Sequence, residues 1–192
     1  MAIETLAYTV VDRFDGIEIR QYDGYVVAET EVEGDRSGAT NEGFRRLAGY
    51  IFGGNRGDRK IAMTAPVLQA KGQRIAMTAP VLQQATGGAD ASADAGPWLI
   101  QFTMPAAYAL DALPEPIDAR VRLRAEQARR VAALRYSGGW STRRYELKLR
   151  QLYDALARRG VAVAGAPVWA RYNPPITPWF LRRNEILVDV AP

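Results

Sequence analysis

The chain has 192 residues, 48% of them hydrophobic and 9% aromatic, which is ample for a buried core, and residues 1–192 are expected to form one domain. With no cysteine and no histidine it cannot build disulfides, thiolate nucleophiles, Ser/His/Asp catalysis or ordinary zinc sites. The net charge of +4 comes from 22 arginines and 3 lysines against 21 acids, spread along the chain without a basic run interleaved by aromatics, so nucleic acid is not an expected partner. No apolar run approaches the roughly 20 residues of a membrane span. Met1 to Val11 also lacks a signal-peptide profile, so the expectation is a cytoplasmic protein with no membrane partner.

In chain order, Tyr8 to Phe14, Ile17 to Tyr22 and Tyr25 to Val32 alternate or are β-branched, and Asp15-Gly16 and Asp23-Gly24 separate them. Asp-Gly between alternating runs is a hairpin signal, which predicts three antiparallel strands in succession. Asn41 to Phe52 places Phe44, Leu47, Ala48 and Ile51 on one side of a first helix, with Arg45 and Arg46 pointing elsewhere, and Gly53-Gly54-Asn55 ends it.

Ile61-Ala62-Met63-Thr64-Ala65-Pro66-Val67-Leu68-Gln69 recurs unchanged at Ile75 to Gln83. A turn glycine, Gly72, lies between the copies, which predicts two extended arms joined by a hairpin. Pro66 and Pro80 each remove a backbone donor, so the arms should be bulged or at an edge around those points. Residues 84–97, rich in Gly, Ala, Asp and Ser, read as a flexible surface loop.

Strands are predicted at Trp98 to Met104, Ala119 to Glu126 and Arg129 to Tyr136, with a helical turn within Tyr108 to Leu113. Ser141 or Thr142 caps a second helix that runs to about Arg159, with Tyr145, Leu149, Leu152, Tyr153 and Leu156 inward and Gly160 as its stop. Pro167 to Tyr172 and Glu185 to Val190 complete the strands. Shifting the second half back by 104 residues lays Val121 to Tyr136 on Ile17 to Val32 and aligns Arg124 with Arg20. That register implies a pseudo-twofold internal repeat: two halves, each a curved antiparallel sheet carrying one helix, closing into a distorted barrel with a ligand-sized cavity between them.

Lys60 to Val67 resembles the signature segment of the SOUL heme-binding family. Ile17 to Tyr22 resembles its early strand, Gly43-Phe44 with Gly53-Gly54-Asn55 its first helix and turn, and Tyr172-Asn173-Pro174-Pro175 through Arg183-Asn184-Glu185 its C-terminal segment. The resemblance implies an α+β fold, a distorted eight-stranded antiparallel β-barrel flanked by two α-helices, that binds heme or a related tetrapyrrole. In one branch of the family the axial ligand is a histidine at the place held here by Gln21, a poor iron ligand. In the other branch heme lies without histidine on an apolar patch of the first helix edged by basic groups.

Heme is a flat apolar disc with two carboxylates, so a site needs an apolar slot, a cation and, optionally, an axial donor. The candidates are Phe44, Leu47, Ala48 and Ile51 for the slot and Arg45 for a propionate, with Arg46, Arg182 and Arg183 as further cations. Met63 and Met77, at identical points of the two arms, are the candidate thioether donors. Each of these also suits a plain structural role, the methionines as core filling and the arginines as solvated charges. Tyr22 and Tyr50 are phenol candidates whose hydroxyls equally suit a backbone partner. The expected function is a heme carrier or buffer without histidine ligation. The alternatives are a module for another amphipathic aromatic ligand on a gyrase-inhibitor-like fold and, less favoured, a hydrolase using Glu185 and a tyrosine.

Overall fold

The computed structural model describes residues 4–57, 72–86, 97–173 and 176–191. Its main elements are β1 (Thr9–Phe14), β2 (Ile17–Tyr22), β3 (Tyr25–Val32), α1 (Arg36–Ile51), β4 (Val81–Ala85), β5 (Trp98–Thr103), β6 (Arg122–Glu126), β7 (Arg129–Ser137), α2 (Thr142–Arg159), β8 (Val168–Arg171) and β9 (Arg183–Asp189). The nine strands form one antiparallel sheet in the order β6-β3-β5-β4-β8-β9-β7-β2-β1. The class is α+β with two helices, as expected, and the sheet holds nine strands where eight were expected.

The order is symmetric about the β4–β8 seam: β4 corresponds to β8, β5 to β9, β3 to β7 and β2 to β6. The first strand of each half is exchanged, since β2 pairs with β7 and β6 pairs with β3. Asp15-Gly16 does make a tight hairpin, both residues taking positive φ (49° and 75°), as a type I′ turn requires. Asp23-Gly24 does not. There the chain leaves β2 for the far side of the sheet, and a Cβ on Gly24 would stand 3.2 Å from the Glu126 carbonyl oxygen at the end of β6. The dipeptide serves a close crossing of strands, which the hairpin signal cannot distinguish from a turn.

The exchange forces curvature. In sheet order β2 and β3 are six positions apart, about 29 Å if the sheet were flat. Yet Tyr22 and Tyr25 are three residues apart in sequence, a span of at most about 11 Å, and their ring centroids lie 6.5 Å apart. The sheet therefore curls until its ends approach. Inside the curl Tyr22, Leu82, Val131, Ala133, Val168, Ala170 and Leu187 meet in one cluster. On the other face each helix covers its own half. α1 packs Leu47, Tyr50 and Ile51 against Ile100 and Phe102, and α2 packs Tyr145, Leu152 and Leu156 against Trp169 and Ile186.

Local sequence explains the helix limits. The Asp35 carboxylate accepts from the Ser37 and Gly38 amides and caps α1, so the helix begins at Arg36, five residues before the apolar periodicity announces it. Gly43 allows α1 to touch the sheet, because a Cβ there would lie 2.5 Å from Ile100 Cγ1. Ser141 caps α2 and Gly160, left-handed at φ 71°, ends it. Of the repeated arms, the copy at 61–69 lies outside the described residues, and with it the hairpin expected between them. In the second copy Thr78–Ala79 runs beside Glu4–Thr5, and after Pro80 the chain enters the main sheet as β4. Gln84 and Ala85, expected in the surface loop, belong to β4, and residues 87–96 of that loop lie outside the described residues.

An ion-pair network lies inside the curl, centred on Arg20 and Glu185, with Glu18 beside Arg20 at 2.8 Å. Arg20 on β2 and Glu185 on β9 are 2% and 0% exposed. Arg20 Nη1 and Nη2 donate to the two Glu185 oxygens at 2.6 and 3.1 Å. Glu185 also accepts from the Tyr172 hydroxyl at 2.8 Å and from Arg183 Nε and Nη2 at 3.0 and 2.8 Å. The pair reaches across β7, whose Ala133 stands midway between the residues facing Arg20 and Glu185. Burial pushes the Glu185 carboxyl up, but the Arg20 and Arg183 guanidiniums outweigh it and hold it below the ordinary carboxylate range. Because the folded pKa is depressed, its stabilisation is present above the unfolded pKa and is lost as pH falls through the folded value. Glu185→Gln, which leaves Arg20 with only the more exposed Glu18 as counter-charge, should cost up to about 3–5 kcal/mol in urea unfolding. The wild-type advantage over this variant should shrink below about pH 4; an advantage unchanged at acid pH would exclude an ionised Glu185.

Candidate functional site

The seam between the halves carries the site. On the helix face, Val81 of β4 pairs with Arg171 of β8 and Gln83 with Trp169, and the period of two puts Trp169 and Arg171 on the same side. Above them a trough separates α1 from the residues leading into α2. It encloses a hollow of about 200 Å³ lined by Thr40, Asn41 and Phe44 from α1, Met77, Thr78, Ala79 and Val81 from the second arm, and Trp140, Arg171, Tyr172 and Asn173 from the second half.

Gln83 organises the floor. It is 2% exposed, donates to the Arg36 carbonyl at 3.0 Å, and accepts from the Thr40 hydroxyl at 2.9 Å and from Arg171 Nη2 at 3.2 Å. Arg36, the first residue of α1, is buried among three aromatic rings. Its Cζ is 5.3 Å from the Trp98 ring centroid, 5.2 Å from Tyr145 and 5.1 Å from Trp169, cation–π contacts that tie α1 to α2.

Arg171 lies at the wall of the remaining hollow, its Cζ 4.9 Å from the Trp140 centroid and 4.6 Å from Trp169. Arg182 covers the outer side of Trp140, 4.3 Å from its centroid. Burial pushes Arg171 down to about 10, and the nearby Arg36 charge acts in the same direction. Its ion-pair partner is absent among the described residues, and Nε finds no acceptor there. Arg20 is the opposite case: burial lowers it, but Glu185 more than compensates and raises it overall.

Of the residues singled out in the sequence, the structure brings Phe44 and Met77 together in the wall of this hollow. Phe44 is 37% exposed and meets Phe102 edge-on at 5.2 Å. Leu47 and Ile51 are fully buried in the core beneath α1, and Ala48 is half-buried beside them. Arg45 is exposed and paired with Glu42, which also holds Arg46. Arg183 belongs to the Glu185 network. Met63 lies outside the described residues. Gln21 donates its amide to the Tyr22 and Arg129 carbonyls. Tyr50 donates to the Pro114 carbonyl at 2.9 Å, and burial pushes its phenol up to about 12. Tyr22 too is raised by burial, so neither phenol favours the phenolate form.

Sequence reasoning missed Trp140, Arg171, Gln83 and Arg36. The alternation Val168-Trp169-Ala170-Arg171 places Trp169 and Arg171 on one face but does not say that this face turns to the helices.

Residues 3–189 match the family described as SOUL heme-binding protein, and the chain belongs to that family. Comparison with curated proteins finds no match. Among solved structures the fold is similar to the EcmrR C-terminal domain, with a TM-score of 0.66 at 8% identity over 96% of this chain and 98% of that one. It is also similar to a hydrolase from Listeria innocua (0.58, 10% identity, 94% of each chain) and to an uncharacterized conserved protein from the same organism (0.62, 11%, 92% of each). At these identities the likeness is one of fold.

A buried arginine with no acid beside it does little to hold the fold together. Arg171→Met, which keeps the apolar stem against the indoles, should leave the urea midpoint unchanged or higher. A drop comparable to that of Glu185→Gln would make Arg171 a structural brace instead.

Proposed function

We propose that the protein binds heme or a related tetrapyrrole as a carrier or buffer, without imidazole ligation, by seating one edge of the macrocycle in the interhelical trough. The observation that carries this reading is an apolar hollow in a heme-binding-family chain whose wall, among the described residues, holds one cation, Arg171, and no acid. A hollow of about 200 Å³ is below the roughly 300–1,000 Å³ of pockets that enclose drug-sized ligands. It therefore fits an edge of the ring rather than the whole disc, with the remainder lying over exposed Phe44. Phe44, Met77, Val81 and Trp140 would supply apolar contact to that edge. Heme would bring the iron, for which Met77 in the wall would be a weak thioether donor.

The related reading, another flat amphipathic ligand on this fold, uses the same walls and differs only in what is bound. Hydrolysis through Glu185 is not favoured, because that carboxylate is fully buried and held by Arg20, Arg183 and Tyr172.

Hemin added to the purified protein should give a shifted Soret band of five-coordinate or weakly ligated iron. Combined Met63→Ala and Met77→Ala should change the spectrum little, while Phe44→Asp, which sets an anion in the apolar wall, should weaken binding about 10-fold or more. A six-coordinate low-spin spectrum abolished by the methionine substitutions would replace this reading with thioether ligation. A spectrum identical to free hemin would remove tetrapyrrole binding altogether.

A further inference from the structure

We infer that Arg171 is the carboxylate-recognising group of the trough, and that the hollow selects a flat apolar arm ending in one carboxylate. This deepens the proposed function by assigning one propionate-bearing edge of a tetrapyrrole to Arg171. Its chemistry does not depend on iron, however, and extends to any aromatic carboxylate of similar width.

Three observations carry it. First, Arg20, Arg46 and Arg129, buried or half-buried, are each matched by an acid: Arg20 by Glu185 at 2.6 Å, Arg46 by Glu42 at 2.7 Å and Arg129 by Asp189 at 3.3 Å. Arg171 instead has two indole faces and one neutral amide oxygen, with Nε left over. A guanidinium packed beside aromatic rings can still present N–H groups to an acceptor that enters the hollow.

Second, among the described residues the lining includes neither Asp nor Glu, and its charged side chain is Arg171. An entering carboxylate gains a partner there, whereas a cationic ligand would be repelled. Third, the walls on either side, Phe44, Met77, Val81 and Trp140, are apolar, while Thr40, Asn41 and Asn173 offer neutral hydrogen-bonding groups. The hollow thus suits an amphipathic anion rather than a bare inorganic one. Its size allows one such arm, so the second propionate of a heme would remain in solvent.

The test titrates wild type, Arg171→Met and Arg171→Lys with hemin, hemin dimethyl ester, 2-naphthoate and neutral 2-naphthalenemethanol, reading the Soret band for the porphyrins and tryptophan quenching for the naphthalenes. Wild type should bind hemin and naphthoate about 10- to 100-fold more tightly than the ester and the alcohol. Arg171→Met should erase that preference, and Arg171→Lys should restore part of it, since an ammonium supplies charge without the planar fork. If wild type ignores hemin but binds naphthoate in an Arg171-dependent way, the carboxylate assignment stands and the tetrapyrrole reading falls. If hemin binds equally to wild type and Arg171→Met, and equally as acid or ester, the assignment is overturned while tetrapyrrole binding survives. Failure of all four ligands to bind wild type would overturn both.

Discussion

The interaction on which the rest of the structure depends is the Arg20–Glu185 pair inside the curled sheet. β2 belongs to the first half by sequence and to the second by pairing, and such an exchange needs something that holds the strand to its adopted partners. A guanidinium on β2 that grips β9 from across β7 does this. Two buried charges cost a great deal to desolvate, so the pair is better understood as a register lock than as a source of net stability. The alternation of β2 fixes it further: Ile17 and Ile19 face α2 while Arg20 and Tyr22 face the interior, and a slip by one residue would invert both.

The lock also reaches the candidate site. Tyr172 binds Glu185 through its hydroxyl, and Asn173 accepts from the Arg183 amide at 2.6 Å. The chain that leaves β8 is thereby fixed at two successive residues, and the residue before them is Arg171. One wall of the trough is set from inside the curl. The opposite wall is set by Gly43, which brings α1 close enough to the sheet for Gln83 to bond both the Thr40 hydroxyl and the Arg36 carbonyl. A ligand entering the hollow therefore meets walls that the fold already holds in place.

Much of this was legible in the sequence. Period-two alternation located the strands and capping residues the second helix, and the 104-residue shift anticipated the correspondence of β2 with β6 and of β3 with β7. The strand exchange was not legible, because Asp23-Gly24 carries the local signature of a hairpin while the pairing it serves is decided by residues a hundred positions away. The start of α1 was hidden for a local reason: Arg36 to Thr40 lack the apolar spacing, and Asp35 alone signals the cap. At the candidate site, Phe44 was singled out because apolar residues on a helix face are visible in a pattern, and Met77 because it stands at the same point of the repeated arm as Met63. Arg171 was not, since among 22 arginines nothing in sequence marks the one that the fold sets beside Trp140 and Trp169 at the seam.

The fold by itself does not decide what the trough holds. Proteins as different in sequence as the EcmrR C-terminal domain and a Listeria innocua hydrolase share it at 8% and 10% identity, so ligand choice has to come from the side chains along the seam. In this chain those side chains separate two uses of arginine. Inside the curl, Arg20 is neutralised by Glu185 and serves the architecture. On the helix face, Arg171 sits beside two indoles, with no ion-pair partner among the described residues and no acid among those that line the hollow. Under the proposed reading, an amphipathic anion would be met there by a guanidinium, since the chain has neither imidazole nor thiolate to offer.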